Sequence, residues 1–196
     1  MSEIELKVVF VGDTQVGKSS LIHRYVDNTF TEGQTPTFGA MYHEKTIKLG
    51  QKSFEVYIWD TAGQERLKSI ANLYYKDAQI MFIVYDVTDG NSIEGLGYWI
   101  KEVNEKISNE FVTVLVGNKC DLVEDLSVDA RVARIQQEHG WPHFFTSAKT
   151  GKNVEEIFRK GLEAADEEGV VRSVERMRRE TLPRFGEEQG RGKCKC

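Results

Sequence analysis

Residues 12–19 of this chain read Gly12-Asp13-Thr14-Gln15-Val16-Gly17-Lys18-Ser19. This stretch fits the pattern G-x-x-x-x-G-K-[ST], a loop whose backbone N–H groups surround a phosphate. The largely apolar residues 4–11 before it are typical of a buried strand, and residues 21–26 after it carry apolar side chains at helical spacing. Because a strand, a glycine-rich loop and a helix are the context that the pattern requires, the stretch predicts a phosphate-binding loop rather than a chance turn.

Each residue type in this loop has a chemical role. Gly12 and Gly17 let the backbone turn without a side chain in the way. Lys18 brings a positive charge to the β- and γ-phosphates, and Ser19 offers a hydroxyl to Mg²⁺. The helix that begins here adds the positive end of its dipole. The predicted phosphate-binding residues of this region are Asp13, Thr14, Gln15, Val16, Gly17, Lys18, Ser19 and Ser20.

The base is indicated by a second string, Asn118-Lys119-Cys120-Asp121, which follows a buried-strand run over residues 112–117. The carboxylate of Asp121 can accept hydrogen bonds from N1–H and the 2-amino group of guanine. Adenine lacks both donors and would leave a buried carboxylate unpaired. The loop therefore predicts a nucleoside triphosphate, and Asp121 predicts that its base is guanine.

With these two strings the chain resembles the Ras superfamily of small GTPases, and its Rab branch in particular, over residues 5–168. A third motif, Asp60-Thr61-Ala62-Gly63-Gln64, matches the family pattern D-x-x-G-Q at the end of a predicted strand. The resemblance implies that Asp60 reaches Mg²⁺ through water and that the Gly63 N–H touches the γ-phosphate. It also implies that Gln64 orients the attacking water, which makes Gln64 the expected catalytic residue.

Further positions follow from the same resemblance. Thr37 falls where the family's switch threonine binds Mg²⁺, which gives Ser19, Thr37 and Asp60 as the metal set. Phe30 falls where an aromatic ring packs on the guanine face. In Thr146-Ser147-Ala148-Lys149 the resemblance places an alanine N–H on the guanine carbonyl oxygen and a lysine beside the base. The expected ligands are GTP or GDP with Mg²⁺, and the expected guanine-binding residues are Phe30, Asn118, Lys119, Asp121, Ser147, Ala148 and Lys149.

An effector surface is expected at Tyr42, Trp59 and Tyr74, which occupy the positions of the family's switch-region aromatic trio. Aromatic side chains exposed when GTP orders the switches would form a protein-binding patch. The alternative is that these three residues are ordinary core aromatics of the sheet and its neighbouring helix.

The chain-wide pattern predicts an α/β fold, a P-loop GTPase domain with a mostly parallel six-stranded sheet and helices on both faces. A hairpin is predicted over residues 41–60, turning at Gly50, and a single helix over residues 91–108, capped by Asn91 with Glu94. The other predicted strands are 79–87, 112–117 and 144–147, and the other predicted helices are 67–76, 128–138 and 154–168. The predicted domains are residues 1–169 and a flexible tail over residues 170–196.

Composition sets limits on the function. A chain of 196 residues with 40% hydrophobic content suits one domain with a tail. No run of about eighteen apolar residues is present, so we expect no membrane span, and the first residues lack a secretory signal. The formal net charge of −5 is uneven, because residues 170–196 hold eight Lys/Arg and four Asp/Glu. The body is therefore acidic, which argues against a nucleic-acid partner.

The chain ends in Cys194-Lys195-Cys196, which resembles the Rab double-prenylation signal and does not match C-a-a-X. Two lipid chains hold a protein stably on a membrane, whereas one holds it marginally. A metal-binding or chance cysteine pair is the alternative, and the basic tail is either membrane-facing or an ordinary solvated face. With lipid on Cys194 and Cys196, the protein is expected on the cytoplasmic face of an intracellular membrane, cycling with the cytosol.

The resemblance implies a monomeric GTP-binding and GTP-hydrolysing switch that regulates vesicle traffic through nucleotide-dependent effector binding. Its implied partners are effectors, an exchange factor, a GTPase-activating protein, an escort protein and a dissociation inhibitor. Thr14 and Gln15 stand where relatives usually have small residues, and Thr14 would lie close to Gln64. A nucleotide-binding interaction protein that hardly hydrolyses GTP therefore remains an alternative, as does a P-loop ATPase or kinase, which Asn118 and Asp121 oppose.

Overall fold

Six strands form one sheet in the computed structural model, which describes residues 4–37, 40–61 and 74–181. The spatial order is β2-β3-β1-β4-β5-β6; β2 runs antiparallel to β3, and all other neighbours are parallel. This arrangement confirms the predicted mostly parallel sheet and the hairpin that turns at Gly50. The strands are β1 (Ile4–Val11), β2 (Ala40–Leu49), β3 (Lys52–Thr61), β4 (Ile80–Asp86), β5 (Val112–Asn118) and β6 (His143–Phe145).

Helices cover both faces of the sheet, as predicted. One apolar cluster joins β1 and β4 to residues of the first and fifth helices, with Phe10, Phe82 and Phe158 in mutual ring contact. The other cluster joins the opposite face to Leu96, Trp99 and further residues of the third helix. The helices are α1 (Lys18–Asp27), α2 (Gly90–Glu94), α3 (Leu96–Lys106), α4 (Ala130–His139), α5 (Val154–Glu167) and α6 (Val170–Thr181), with a 3₁₀ turn at Cys120–Leu122.

The prediction of one helix over residues 91–108 is wrong, because α2 and α3 meet at Gly95. The predicted cap at Asn91 is also wrong: Asp89 is the N-cap, and its Oδ1 accepts the Asn91 N–H at 3.0 Å. The junction depends on a residue without a side chain. A Cβ at Gly95 would lie 2.5 Å from Asp13 Oδ2, a contact that the helical periodicity alone does not reveal.

The prediction of a flexible linker from residue 170 is wrong for residues 170–181, which form α6. Gly169, with φ +86°, turns the chain out of α5, and Ser173 N–H then bonds to Gly169 O. Val170 and Val171 are buried in the core, and Val174 packs against it. These three residues share one face of α6, so the apolar pattern continues past α5. The rest of the α6 sequence is rich in arginine, which hides this pattern.

Some predictions lie outside the described residues. These are most of the predicted helix at 67–76, the motif residues Gly63 and Gln64, and the tail from Leu182, including Cys194 and Cys196. Across the part of the chain that the structure describes, no helix has the length and apolar character needed to cross a bilayer.

Candidate functional site

A cavity of about 430 Å³ lies where the carboxyl ends of the parallel strands meet. In open parallel sheets this edge is where ligands bind. The loops after β1, β5 and β6 all line it, so the structure brings together strings that are far apart in the sequence. The predicted residues that line the cavity are Thr14, Gln15, Gly17, Lys18, Ser19, Ser20, Phe30, Thr37, Asn118, Lys119, Asp121, Ala148 and Lys149.

The two loop glycines are required by close contacts. Gly12 has φ +142°, and a Cβ there would lie 2.1 Å from Val84 O. Gly17 has φ +96°, and its Cβ would lie 2.3 Å from Asn118 Nδ2. Any other residue at either position would push the loop away from β4 or β5. Gln15 also adopts a left-handed backbone, with φ +64°, in a loop position where its side chain is exposed.

Lys18 places a cation inside the loop. It is only 5% exposed, and its Nζ donates to Gly12 O at 2.7 Å and Asp13 O at 2.8 Å. Burial lowers the Lys18 pKa to about 8, and the carboxylates of Asp60 and Asp13 oppose that shift. An anion beside Nζ would favour the charged form further, so this ammonium suits a phosphate ligand.

The predicted metal residues form a group that fits a divalent cation. Asp60 is fully buried, and neither of its carboxylate oxygens makes a hydrogen bond with the described residues. Ser19 Oγ and Thr37 Oγ1 lie 2.7 Å apart in a hydrogen bond with each other. Burial raises the pKa of Asp60, opposed by the nearby Ser19 hydroxyl and the Lys18 ammonium. Two hydroxyls and an unpartnered buried carboxylate are hard oxygen donors of the kind that Mg²⁺ prefers.

Asn118 connects the phosphate loop to the loop after β6. Its Nδ2 donates to Val16 O at 2.9 Å, and its Oδ1 accepts from Thr146 Oγ1 and Ala148 N, each at 3.3 Å. The side chain is 1% exposed, so these bonds are shielded from water. Asn118 therefore fixes the distance between the two loops and lines the cavity between them.

The other predicted base residues surround the same end of the cavity. Lys119 Nζ pairs with Asp86 Oδ2 at 2.6 Å, which fixes the lysine stem beside the opening. Asp121 is exposed and lines the cavity, so its carboxylate is accessible to a ligand. Phe30 lines the same cavity and packs partly on the core.

Lys149 and Glu32 form an ion pair of 2.8 Å that joins the loop after β6 to the segment 30–37. Their hydrogen bond raises the pKa of Lys149 and lowers the pKa of Glu32. Both side chains are largely exposed, so salt screens this contact.

Four predicted site residues do not line the cavity. The side chain of Asp13 turns to α3, where its Oδ1 accepts from Trp99 Nε1 at 2.8 Å. Ser147 is buried, and its Oγ accepts the Thr150 N–H within its own loop. Val16 is a buried core side chain, and Asp60 lies in the buried end of β3.

Several lining residues were not predicted from the sequence. Thr61 lines the cavity while its Oγ1 donates to Phe10 O at 2.7 Å, and its place beside Asp60 in the D-x-x-G-Q motif was a usable signal. Arg24 lies outside the lining but positions the loop after β6 by donating to Ala148 O and Lys149 O, which no sequence pattern indicates. The remaining unpredicted lining residues are Thr31, Glu32, Gly33, Gln34, Thr35, Pro36 and Leu122.

The aromatic trio forms one continuous patch, with Tyr42 and Trp59 on the β2–β3 hairpin and Tyr74 beside them. Trp59 contacts Tyr42 and Tyr74, with ring centroids 5.5 and 5.6 Å apart. Tyr42 is 49% exposed, and Met41 beside it is 50% exposed. The structure thus joins the three residues, with Trp59 and Tyr74 half-buried and Tyr42 facing solvent.

Known proteins match this chain over most of its length. The family model described as Ras family covers residues 7–167. The GTP-binding protein YPTM1 of Zea mays is 40% identical over 153 residues, which span 78% of this chain and 74% of that protein. The Ras-related protein Rab-1D of Dictyostelium discoideum is 40% identical over 153 residues, spanning 78% and 75% of the two chains.

A third relative extends the match to animals. The Ras-related protein Rab-21 of Homo sapiens is 39% identical over 153 residues, spanning 78% of this chain and 68% of that protein. The matched region contains the phosphate loop, the buried Asp60 and the loops after β5 and β6. The chain therefore belongs to the Ras family, as a Rab-type GTPase that hydrolyses GTP and regulates vesicle traffic.

Proposed function

We propose that the 430 Å³ cavity holds a guanine nucleotide, with its phosphates in the loop 12–19 and its base between Phe30 and the loops that carry Asn118 and Ala148. One observation carries the proposal: three sequence strings that each suit one part of the nucleotide line a single cavity. The glycines allow the tight course of the loop, and the buried Lys18 supplies the cation that the phosphates need.

Base selection is assigned to Asp121. Asp121 lines the cavity, and its carboxylate can accept two hydrogen bonds from guanine. Adenine has neither of the two guanine N–H groups to donate to this carboxylate, so the site should prefer guanine. Lys119 and Lys149, held by their carboxylate partners, would pack beside the base.

Mg²⁺ would be held by Ser19 and Thr37, with Asp60 acting through water. When bound, it would neutralise negative charge on the β- and γ-phosphates. The chain's own contribution is to keep the two hydroxyls 2.7 Å apart and to oppose the rise in the pKa of Asp60 that burial causes. Lys18 contributes to this by placing its ammonium near the same carboxylate.

Gln64 and Gly63 are assigned the roles that the family resemblance gives them: Gln64 orients the attacking water, and the Gly63 N–H contacts the γ-phosphate. Thr14 is exposed and lines the cavity, so it is close enough to the phosphate site to affect hydrolysis. No arginine lines the cavity among the described residues, which suits a protein whose activating partner supplies one.

The switch is assigned to the segment around Thr37 together with Gly63, which the γ-phosphate would hold in GTP and release on hydrolysis. Tyr42, Trp59 and Tyr74 would then form the effector-binding patch. By family resemblance the partners also include an exchange factor, a GTPase-activating protein, an escort protein and a dissociation inhibitor. The acidic body favours protein partners over nucleic acid, and we propose that the protein acts as a monomer.

The membrane anchor is assigned to lipid groups on Cys194 and Cys196, next to a basic tail. Two chains would give stable but reversible attachment to the cytoplasmic face of an intracellular membrane, with a cytosolic pool maintained by the dissociation inhibitor. The first part of the tail region, residues 170–181, forms α6.

Competition binding tests the nucleotide assignment. Fluorescent GDP bound to the parent chain is displaced with unlabelled GDP, xanthosine diphosphate (XDP) or ADP, with and without Mg²⁺. We expect displacement by GDP at concentrations at least about a hundredfold lower than by ADP, and tighter GDP binding with Mg²⁺. Equal displacement by GDP and ADP would refute the base assignment, and an affinity unchanged by chelating the metal would refute the metal assignment.

A further inference from the structure

Two side-chain hydrogen bonds hold the phosphate loop on either side of Thr14 and Gln15. On one side, Asn118 Nδ2 donates to Val16 O at 2.9 Å. On the other side, Trp99 Nε1 donates to Asp13 Oδ1 at 2.8 Å. The second bond joins the loop to α3, a helix that contributes no residue to the described lining of the cavity.

The indole of Trp99 is held firmly. It is 6% exposed and belongs to the apolar cluster between the sheet and α3, together with Leu96 and Tyr85. An indole N–H bonded to a carboxylate is a charge-assisted hydrogen bond, which is stronger than one between neutral groups. Trp99 therefore gives Asp13 a fixed anchor in the core.

The carboxylate of Asp13 also packs against the α2–α3 junction. A Cβ at Gly95 would lie 2.5 Å from Asp13 Oδ2 and 3.3 Å from Oδ1. The glycine backbone thus leaves just enough room for the carboxylate to reach Trp99. At Gly97, two residues further along α3, a Cβ would meet nothing within 4 Å.

Asp13 transmits this anchor to the phosphate site through its main chain. Its carbonyl oxygen accepts from Lys18 Nζ at 2.8 Å, so the residue that Trp99 holds also holds the ammonium. Thr14 and Gln15 follow directly and line the cavity. A shift of Asp13 would therefore move both the lysine's partner and the exposed part of the loop.

We propose that Asp13 and Trp99 form a positioning pair that fixes the phosphate loop on α3 and thereby sets how tightly the phosphates are retained. The pair makes α3 a second element, besides the nucleotide-contacting loops, whose displacement changes nucleotide release. This inference rests on the proposed function, because it takes the loop 12–19 to hold the phosphates.

GDP release from the full chain tests the pair. Trp99→Phe removes the N–H donor and keeps an aromatic ring, and Asp13→Ala removes the acceptor. Each is expected to release fluorescent GDP about tenfold faster than the parent. Asp13→Asn keeps an oxygen acceptor without the charge, and its release rate should fall between those of the parent and Asp13→Ala.

A double-mutant cycle separates a shared role from two structural ones. If the two residues act through each other, Asp13→Ala with Trp99→Phe should release GDP no faster than the faster single variant. If the increase in release rate of the double variant equals the product of the two single increases, the residues contribute independently, and the proposed pair is refuted.

A matched pair of glycine variants tests the same anchor without changing the loop or the indole. Gly95→Ala should displace the Asp13 carboxylate and accelerate GDP release about tenfold, whereas Gly97→Ala should release at the parent rate. Equal release rates in Gly95→Ala and Gly97→Ala would overturn the inference, and this comparison remains decisive if Trp99→Phe does not fold. A parent chain that binds no GDP would refute the proposed nucleotide site instead, which keeps the two failures distinct.

Discussion

The buried amide of Asn118 offers the most informative single perturbation of the site. Asn118→Ala would remove one good hydrogen bond, to Val16 O at 2.9 Å, and two long ones of 3.3 Å from Thr146 and Ala148. The good bond contributes about 1 kcal/mol and the two long bonds together about 1 kcal/mol. The buried Val16 carbonyl would also lose a partner, which adds about 1 kcal/mol or more. We therefore expect a loss of about 3 kcal/mol in the free energy of unfolding.

The same change should weaken nucleotide binding by about as much free energy as it takes from the stability of the fold. Asn118 holds the phosphate loop and the base-binding loop at a fixed separation, so without it each loop can move away from the ligand. We expect GDP affinity to fall by more than about a hundredfold, corresponding to about 3 kcal/mol. Urea unfolding of the nucleotide-free chain and fluorescent-GDP titration would measure the two losses separately.

Asn109→Ala provides the control. Asn109 Nδ2 donates to Ala78 O at 2.8 Å, a bond of the same type at a site away from the cavity. This variant should lose about 1 kcal/mol of stability and keep its GDP affinity. If Asn118→Ala lost no more affinity than Asn109→Ala, the view that Asn118 sets the spacing of the two loops would be refuted.

Three further predictions concern pH, hydrolysis and the membrane. Burial lowers the pKa of His143 to about 4 from its ordinary value of 6.5. As pH drops, the unfolded chain therefore protonates His143 before the folded chain does. The free energy of unfolding should fall between pH 6.5 and pH 4, by at most about 3 kcal/mol. Urea unfolding across that range checks it, and a His143→Gln variant with the same pH slope as the parent would contradict it. The β-branched side chain of Thr14 lines the cavity and could obstruct Gln64. Thr14→Gly should therefore raise the single-turnover rate of GTP hydrolysis, whereas Gln64→Leu should abolish hydrolysis. Equal rates in the parent and Thr14→Gly would refute this steric obstruction. Changing Cys194 or Cys196 alone to Ser should leave weak membrane attachment, and changing both should give a soluble protein. Mass spectrometry of the C-terminal peptide checks the modification. An unmodified peptide on membrane-bound protein would rule out this anchor.

The sheet and the location of the site were predictable because local patterns determine them. β4 and β5 are buried on both faces, which explains why their sequences are mostly apolar rather than alternating. The motif strings follow such runs directly, so their side chains had to meet at the carboxyl edge of the sheet. The motif alone predicted that a side chain at Gly12 or Gly17 would be in the way, and the short distances to Val84 and Asn118 show what it would meet.

Long-range contacts were not predictable in the same way. The lack of room for a side chain at Gly95 is due to Asp13, more than eighty residues earlier, which no helical pattern within residues 91–108 can indicate. The helix α6 depends on Val170 and Val171 reaching the core through a turn at Gly169. Such contacts become visible only when the packed elements are placed side by side.

The ion pair across the cavity shows the same limit. Glu32 has no motif around it, and its partner Lys149 was expected to pack beside the base. Their separation along the chain hides a contact that the fold creates. Arg24 is another example, since it supports the base-binding loop from the end of α1.

The central claim, that this cavity binds a guanine nucleotide through Asp121, is tested most directly by changing the base that the site accepts. In Asp121→Asn the carboxylate becomes an amide, whose N–H₂ can donate to the C2 oxygen of xanthine but cannot accept both guanine donors. Titration of this variant with GDP and XDP, beside Glu124→Gln as a nearby exposed control, should show GDP affinity reduced by at least about a hundredfold and a preference for XDP, with the control unchanged. An Asp121→Asn variant that binds GDP as tightly as the parent and still prefers it to XDP would contradict the claim.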